Sequence, residues 1–318
     1  MDKKVYLETL GCSKNRVDSE IMLGSLNNQG YQFTDDAEKA EVIIVNTCGF
    51  LSAASQESIT RILELSDLKQ EGRCEKLVAA GCVTQRYGSE LAQKIPEIDG
   101  LLGSSGFEQI PELLDQLYHP EGQFKQFLQK KPHYRQYQQQ ERIQSTPSHY
   151  AYLKIAEGCS NMCSFCNIPY LRGGFSSRSI ESLVQDFSQL VERGVSEINL
   201  LSQDTSSYGK DLRDGTELSG LLRALISVPG DYWIRMFYCY PNSFTDEVLE
   251  VMASDPRFCR YLDMPFQHIS DPVLKKMNRK ITRKEIEATM ARVRSQLPDV
   301  AWRTTFIVGF PTETDQDF

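Results

Sequence analysis

The chain of 318 residues has no apolar run fit for a bilayer: stretches such as Val42-Ile43-Ile44-Val45 fall far short of the ~20 residues a spanning helix needs. Residues 1–20 carry charges of both signs and no apolar signal core. There is no basic excess either. Thirty-five Lys and Arg against 43 Asp and Glu leave a net charge of −8, a poor general ligand for phosphate backbones and a better one for a basic protein. No membrane partner is expected, and the expected location is cytoplasmic. The composition, 40% hydrophobic and 25% charged with 20 Gly and 13 Pro, excludes a disordered, collagenous or coiled-coil chain. The length suits about two domains with real cores. Nine cysteines is an odd number, and a cytosolic chain of this size has no need of a disulfide framework, so the cysteines require another role.

Residues 1–117 alternate short apolar runs with amphipathic stretches. Strands are expected at 5–10, 41–46, 76–80 and 98–102, with helices at 18–28, 56–65, 84–94 and 111–117. Strand 41–46 is almost continuously β-branched, as suits a strand covered on both faces. This alternation predicts an open α/β domain with a parallel sheet. Residues 118–149 break the rhythm with Pro120, Gly122, Pro132, Pro147 and many glutamines, and read as a linker with room for a strand or two. Its Lys125, Lys130, Lys131, Arg135 and Arg142 read as a solvated surface. Alternation resumes over 150–318, with strands expected at 152–156, 197–201, 233–238, 260–265 and 304–309. Helices are expected at 180–193, 218–228, 245–253, 272–277 and 283–296. Five strand–helix units in a row predict part of a barrel or a second open sheet.

Cys159, Cys163 and Cys166 form Cys-x3-Cys-x2-Cys directly after a predicted strand. One loop with this spacing can wrap three corners of a cubane iron–sulfur cluster and leave one iron open to a small molecule. A structural zinc would want a fourth ligand, and no cysteine or histidine supplies it nearby. Cys12, Cys48 and Cys82 each follow a predicted strand of the first domain, 36 and 34 residues apart. In a parallel sheet the carboxyl strand ends share one edge, where ligands bind. The three thiols therefore form a candidate second site, flanked by Gly11, Gly49 and Gly81; unrelated interior cysteines are the alternative. Cys74, Cys239 and Cys259 fit neither set and read as core or incidental. His268, at a predicted strand end, is the histidine placed where a barrel does chemistry.

Cys159, Cys163 and Cys166 with Phe165 resemble the radical S-adenosylmethionine superfamily. Taken with the first trio, the whole chain resembles the methylthiotransferase family, which carries two such clusters. The string Gly11-Cys12-Ser13-Lys14-Asn15 with Asp18-Ser19-Glu20 resembles the RimO type, which modifies an aspartate of ribosomal protein S-twelve. The MiaB type, which modifies adenosine in tRNA, usually has Gln-Met where Ser13-Lys14 stand. Further strings similar to the RimO type are Gln203-Asp204-Thr205, residues 235–241, Phe266-Gln267-His268-Ile269-Ser270 and residues 304–311.

The resemblance implies an amino-terminal methylthiotransferase domain over 1–117 holding an auxiliary 4Fe-4S cluster on Cys12, Cys48 and Cys82. It implies a linker over 118–149 and a partial radical S-adenosylmethionine (β/α) barrel over 150–318 holding a second 4Fe-4S cluster on Cys159, Cys163 and Cys166. A sixth barrel strand and a TRAM domain are expected beyond Phe318. The implied chemistry splits S-adenosylmethionine to a 5′-deoxyadenosyl radical, which takes hydrogen from the β-carbon of the target aspartate; a methylated sulfur is then delivered from the auxiliary cluster. The cofactors do this chemistry, and no side chain is nominated as a general base. Phe165, Gln203, Asp204, Gly309, Phe310 and Pro311 are the expected contacts to S-adenosylmethionine. An electron donor of the flavodoxin or ferredoxin type and a sulfur donor are the further partners. Arg172, Gly173, Gly174 and Arg178 follow the cysteine loop and read equally as a surface loop or as a substrate or cofactor contact.

Overall fold

The computed structural model describes residues 3–119, 124–129 and 141–318. These divide into two compact units. One takes the residues up to 129 together with 141–145 and Tyr170–Gly173; the other takes Thr146–Pro169 and Gly174–Phe318. Pro120, Gly122, Lys130, Lys131, Pro132 and Arg135 lie outside the described residues.

The first unit is built on β1 (Lys4–Thr9), β2 (Gln32–Phe33), β3 (Val42–Thr47), β4 (Lys76–Gly81), β5 (Gly100–Gly103) and β6 (Lys125–Phe127). They form one sheet in the order β2-β1-β3-β4-β5-β6, and every pairing is parallel. Helices α1 (Ser13–Asn27), α2 (Ser52–Ser66), α3 (Leu68–Glu71), α4 (Cys82–Lys94) and α5 (Ile110–Tyr118) make the crossovers. All six residues of β3 are buried, which is why its sequence is apolar without alternation. α5 starts with proline in its first turn, where no donor is lost, and buries Ile110, Leu113, Leu114 and Leu117. β2 is a two-residue edge strand too short for a periodic signal. β6 is the strand hidden in the stretch read as a linker; its ladder runs from Lys125 opposite Gly100 to Phe127 opposite Leu102.

The second unit begins with β7 (Tyr150–Lys154). The short pair β8 (Ala156–Glu157) and β9 (Ser176–Ser177) runs antiparallel across the base of the cysteine loop, with α6 (Ile168–Arg172) between them in sequence. Then follow α7 (Ile180–Glu192), β10 (Glu197–Leu201), α8 (Leu218–Ile226), β11 (Trp233–Met236), α9 (Asp246–Ser254), β12 (Tyr261–Asp263), α10 (Asp271–Lys276), α11 (Arg283–Gln296) and β13 (Ala301–Arg303). β7, β10 and β11 are parallel neighbours, as are β12 and β13; a parallel bridge from Ile234 to Phe258 links the two groups. The walk β7, β10, β11, β12, β13 is that of a barrel wall, each strand succeeded by its neighbour. Leu153, Ile198, Leu200, Ile234 and Leu262 of the wall pack with Leu183 and Phe187 of α7 and Leu221, Leu222 and Leu225 of α8. α11 opens on a capping box between Thr282 and Glu285.

The strand expected at 304–309 lies earlier, at Ala301–Arg303. Thr304 ends the ladder: its Oγ1 donates to the Met264 carbonyl (2.9 Å) and accepts from the Phe266 N–H (3.1 Å). Phe306 and Val308 are exposed, and Phe306 contributes only an isolated bridge to Gln267. Among the described residues, no helix is long and apolar enough to cross a membrane.

Candidate cluster sites

Cys12 caps α1, Cys48 directly follows β3, and Cys82 is the first residue of α4, directly after β4. Because β1, β3 and β4 are adjacent in the sheet, their three carboxyl ends are neighbours. The loops approach so closely that side chains are excluded between them. A Cβ on Gly11, whose φ is +87°, would lie 2.7 Å from Cys48 Sγ, and one on Gly49 would lie 2.9 Å from the Cys82 carbonyl carbon. Burial pushes the Cys48 and Cys82 thiols above their usual range; the charge of Cys12 raises both further, and Arg172 pulls both down.

The polar residues of the amino-terminal signature hold these loops. Asn15 donates to the carbonyls of Leu10 (2.9 Å) and Thr47 (2.8 Å), tying the loop after β1 to the end of β3. Asn46 reaches back to the Asn15 carbonyl and the Ser19 hydroxyl, both at 2.9 Å. Thr47 Oγ1 donates to the Ala80 carbonyl and accepts from the Val83 N–H, binding β3 to β4 beside Cys82. Glu20, fully buried, accepts from Arg142 (2.6 Å) and from the Ser145 N–H (2.8 Å), anchoring the segment at 141–145. Arg172 is only 1% exposed and lies in this first unit, donating to Asn15 Oδ1 (2.5 Å) and Asp18 Oδ2 (2.8 Å). Arg172 is therefore an interior residue rather than part of a surface loop.

In the second unit, β8 and β9 pin the ends of the excursion that carries the other trio. Cys159 Sγ accepts from the Asn161 N–H (3.4 Å) and Cys166 Sγ from the Ile168 N–H (3.5 Å). The turn after α10 grips the loop from behind: Asn278 donates to the Met162 carbonyl (2.6 Å), and Ser164 N–H donates to the Met277 carbonyl (3.0 Å). Asn278 does so from a left-handed backbone (φ 53°), which asparagine tolerates better than most side chains. Burial raises the Cys159 thiol to about 11 and pushes Cys166 up as well.

Asp204, 2% exposed, sits in the turn after β10 and accepts from Asn161 Nδ2 (2.6 Å) and from the hydroxyls of Ser206 and Ser207 (both 2.8 Å). Gln203 donates to Glu157 Oε2 (3.3 Å), and its own Oε1 is buried without a hydrogen-bond partner. Glu157 in turn pairs with the fully buried Lys154. Phe165 is partly buried within the cysteine loop. Gly309, Phe310 and Pro311 lie beyond β13 in irregular chain rather than at a strand end. There the Phe310 N–H donates to Glu313 (2.8 Å), whose carboxylate faces His268 Nε2 at 3.4 Å. His268 is buried, and its Nδ1 accepts from the Ser270 N–H, an interior bracing role. Arg279, which sequence reasoning passed over, places Nη1 3.9 Å from Cys163 Sγ. Cys74 and Cys239 are buried and their thiols pushed up by burial, in keeping with core positions.

Both trios have the donor chemistry of an iron–sulfur site: three soft thiols, with backbone N–H groups on two sulfurs of the second and, in the first, loops so close that glycine alone fits beside Cys48. Among the described residues, no three His, Cys, Asp or Glu side chains close around a point that would hold a single ion.

Residues 4–103 match the model of "Uncharacterized protein family UPF0004", and residues 153–318 match the Radical SAM superfamily. The chain is 46% identical over 317 residues to the ribosomal protein uS12 methylthiotransferase RimO of Geotalea uraniireducens (strain Rf4), covering 99% of this chain and 70% of that protein. The chain belongs to the RimO-type methylthiotransferase family. The member from Myxococcus xanthus (strain DK1622) is 47% identical over 316 residues, covering 99% of this chain and 65% of that protein. Among solved structures, the radical S-adenosylmethionine methyltransferase TsrM from Kitasatospora setae superposes with a TM-score of 0.68. It is 15% identical and covered over 69% of its length by 99% of this chain, a likeness of fold. Within the family, the buried signature residues take on a meaning the signature alone does not give: Asn15 and Ser19 tie the loop after β1 to the end of β3, Asp18 holds Arg172, and Glu20 anchors the segment at 141–145.

Proposed function

We propose that this chain transfers a methylthio group to the β-carbon of an aspartate of ribosomal protein uS12, the substrate for which its relatives are named. The observation that carries the reading is the pair of cysteine trios, one converging from β1, β3 and β4 and one held on a single loop. Cys12, Cys48 and Cys82 hold one 4Fe-4S cluster and Cys159, Cys163 and Cys166 the other; residues 1–117 serve as the auxiliary-cluster domain, 118–149 as the linker and 150–318 as the barrel. When bound, the clusters and S-adenosylmethionine supply the radical chemistry and the sulfur. The protein's own part is to fix six thiolates, to leave a corner of each cluster free, and to line the site. Asp204 and Asn161 set the height of the Cys159 loop on the barrel rim. Gln203, with its unpartnered buried Oε1, offers an acceptor to the ammonium or ribose of S-adenosylmethionine. Phe165, Gly309, Phe310 and Pro311 complete its adenine side. An electron donor of the flavodoxin or ferredoxin type and a sulfur donor serve the reaction, and the place of work is the cytoplasm.

The test is an anaerobic reaction of reconstituted protein with uS12 and, separately, with tRNA. A protein holding about eight irons, two cubanes, should add one methylthio group to uS12, located on aspartate by fragmentation. A product on tRNA alone would overturn the substrate, and a single cluster would overturn the two-site reading.

A further inference from the structure

Arg279 stands outside the cysteine motif, yet it is built into the site. It is 8% exposed and follows the turn that grips the cysteine loop. Its Nη1 lies 3.9 Å from Cys163 Sγ, its Nη2 donates to the Pro265 carbonyl (2.5 Å), and its guanidinium carbon lies 4.2 Å from the Tyr240 ring centroid. Its Nε is buried with no hydrogen-bond partner. Among the described residues no carboxylate forms an ion pair with it. A buried cation without an anion is costly, and a carbonyl and an aromatic face offset only part of that cost. The missing negative charge is on the side of Cys163.

We infer that Arg279 is a redox-positioning residue. Its uncompensated charge and its N–H toward Cys163 favour the reduced form of the cluster on Cys159, Cys163 and Cys166. The inference rests on the reading that these cysteines hold a 4Fe-4S cluster. Reduction brings one electron from an external one-electron donor, breaks no bond, and leaves the cluster one unit more negative. A fixed cation in a poorly screened interior stabilises that product more than the oxidised reactant. Net charge and hydrogen bonds to sulfur are the levers by which proteins set such potentials. Arg172, beside the other trio, is a contrasting case, because Asp18 at 2.8 Å already neutralises it.

The experiment is an anaerobic redox titration of the reconstituted full chain, followed by electron paramagnetic resonance, for wild type, Arg279→Gln and Arg279→Lys. Iron and sulfide are counted in each, and the relevant signal is picked out by its response to added S-adenosylmethionine. Arg279→Gln should lower the reduced-to-oxidised ratio at fixed potential about tenfold, a shift of ~59 mV for one electron. Arg279→Lys, which keeps the charge, should recover most of it. An unchanged midpoint at full iron content overturns the inference. So does an unchanged midpoint with weakened S-adenosylmethionine binding, which assigns the guanidinium to the methionyl carboxylate. Should Arg279→Gln take up no iron, arginine labelled with heavy nitrogen in the wild type decides: a guanidinium coupling to the reduced cluster supports the inference, and its absence overturns it. A wild type without a cluster signal defeats the cysteine reading itself, which is a separate failure.

Discussion

Cys12, Cys48 and Cys82 are brought together by a sheet; Cys159, Cys163 and Cys166 are brought together by one short loop. In the first trio each thiol sits at the end of a different strand, so its position depends on strand order, on the register of β1, β3 and β4, and on side-chain struts between loops. In the second, spacing along the chain already limits how far the thiols can part, and the fold adds an antiparallel pair at the base and a turn behind. The first arrangement can shape a pocket from three directions but fails with any one loop. The second tolerates more, because local connectivity does much of the positioning.

Removing one thiol from each trio is the hardest blow to that contrast. Cys48→Ala and Cys163→Ala should each abolish methylthio transfer and cut the bound iron by about half. The signal that responds to S-adenosylmethionine should survive Cys48→Ala and vanish in Cys163→Ala. If either variant loses all its iron, the two sites are not separate and the comparison breaks. Glycine substitutions sharpen it. Gly11→Ala puts a Cβ 2.7 Å from Cys48 Sγ at a φ of +87° and should cost roughly 2–4 kcal/mol, along with the first trio's iron. Gly174→Ala behind the other loop meets only Ser160 Oγ, at 4.0 Å, and should change the unfolding midpoint little.

The same contrast explains what could be read from residues alone. Cys-x3-Cys-x2-Cys is visible because its geometry is local. The first trio is visible only through the rhythm of strands, since each cysteine follows a run such as Val42-Ile43-Ile44-Val45 whose burial on both faces marks it as a strand. Helix and strand centres were legible by periodicity, with α11 (Arg283–Gln296) and β10 (Glu197–Leu201) at the expected bounds. Three features were not. β2 has two residues and no period. β6 was expected only as room for a strand within 118–149, without bounds, because it lies among prolines and glutamines. The last strand is shifted to Ala301–Arg303 because Thr304 turns its hydroxyl back onto Met264 and Phe266. Arg279 was illegible for another reason: it lies 113 residues from Cys166 and meets the cysteines only through the fold.

Asp18→Asn probes the struts of the first trio more gently than a cysteine or glycine change. Arg172 and Asp18 are both buried, so replacing the carboxylate with an amide removes the negative charge that the guanidinium meets at 2.8 Å. Loss of one member of such a pair typically costs ~3 kcal/mol or more. Chemical denaturation should register that loss. A shift under ~0.5 kcal/mol would mean Arg172 finds its counter-charge elsewhere, and the first site would then depend less on its struts than the hydrogen bonds imply.

The smallest effect belongs to a pair far from either trio and serves as a baseline. Arg235 on β11 grips Glu197 on β10 through both oxygens, at 2.9 and 3.1 Å, with both side chains about a quarter exposed. Hydrogen bonds from Arg235 hold the Glu197 carboxyl below its usual range. A carboxylate depressed in the folded state stabilises fully above its unfolded value, ~4.3, and loses that contribution as pH falls through the lower folded value. The gap in unfolding free energy between wild type and Glu197→Gln should therefore be ~0.5–1 kcal/mol at neutral pH and shrink toward zero in acid. A gap independent of pH would mean the pair acts through packing across the strands rather than through charge. The cross-strand tie would then resemble the neutral struts that hold Asn15 and Asn46.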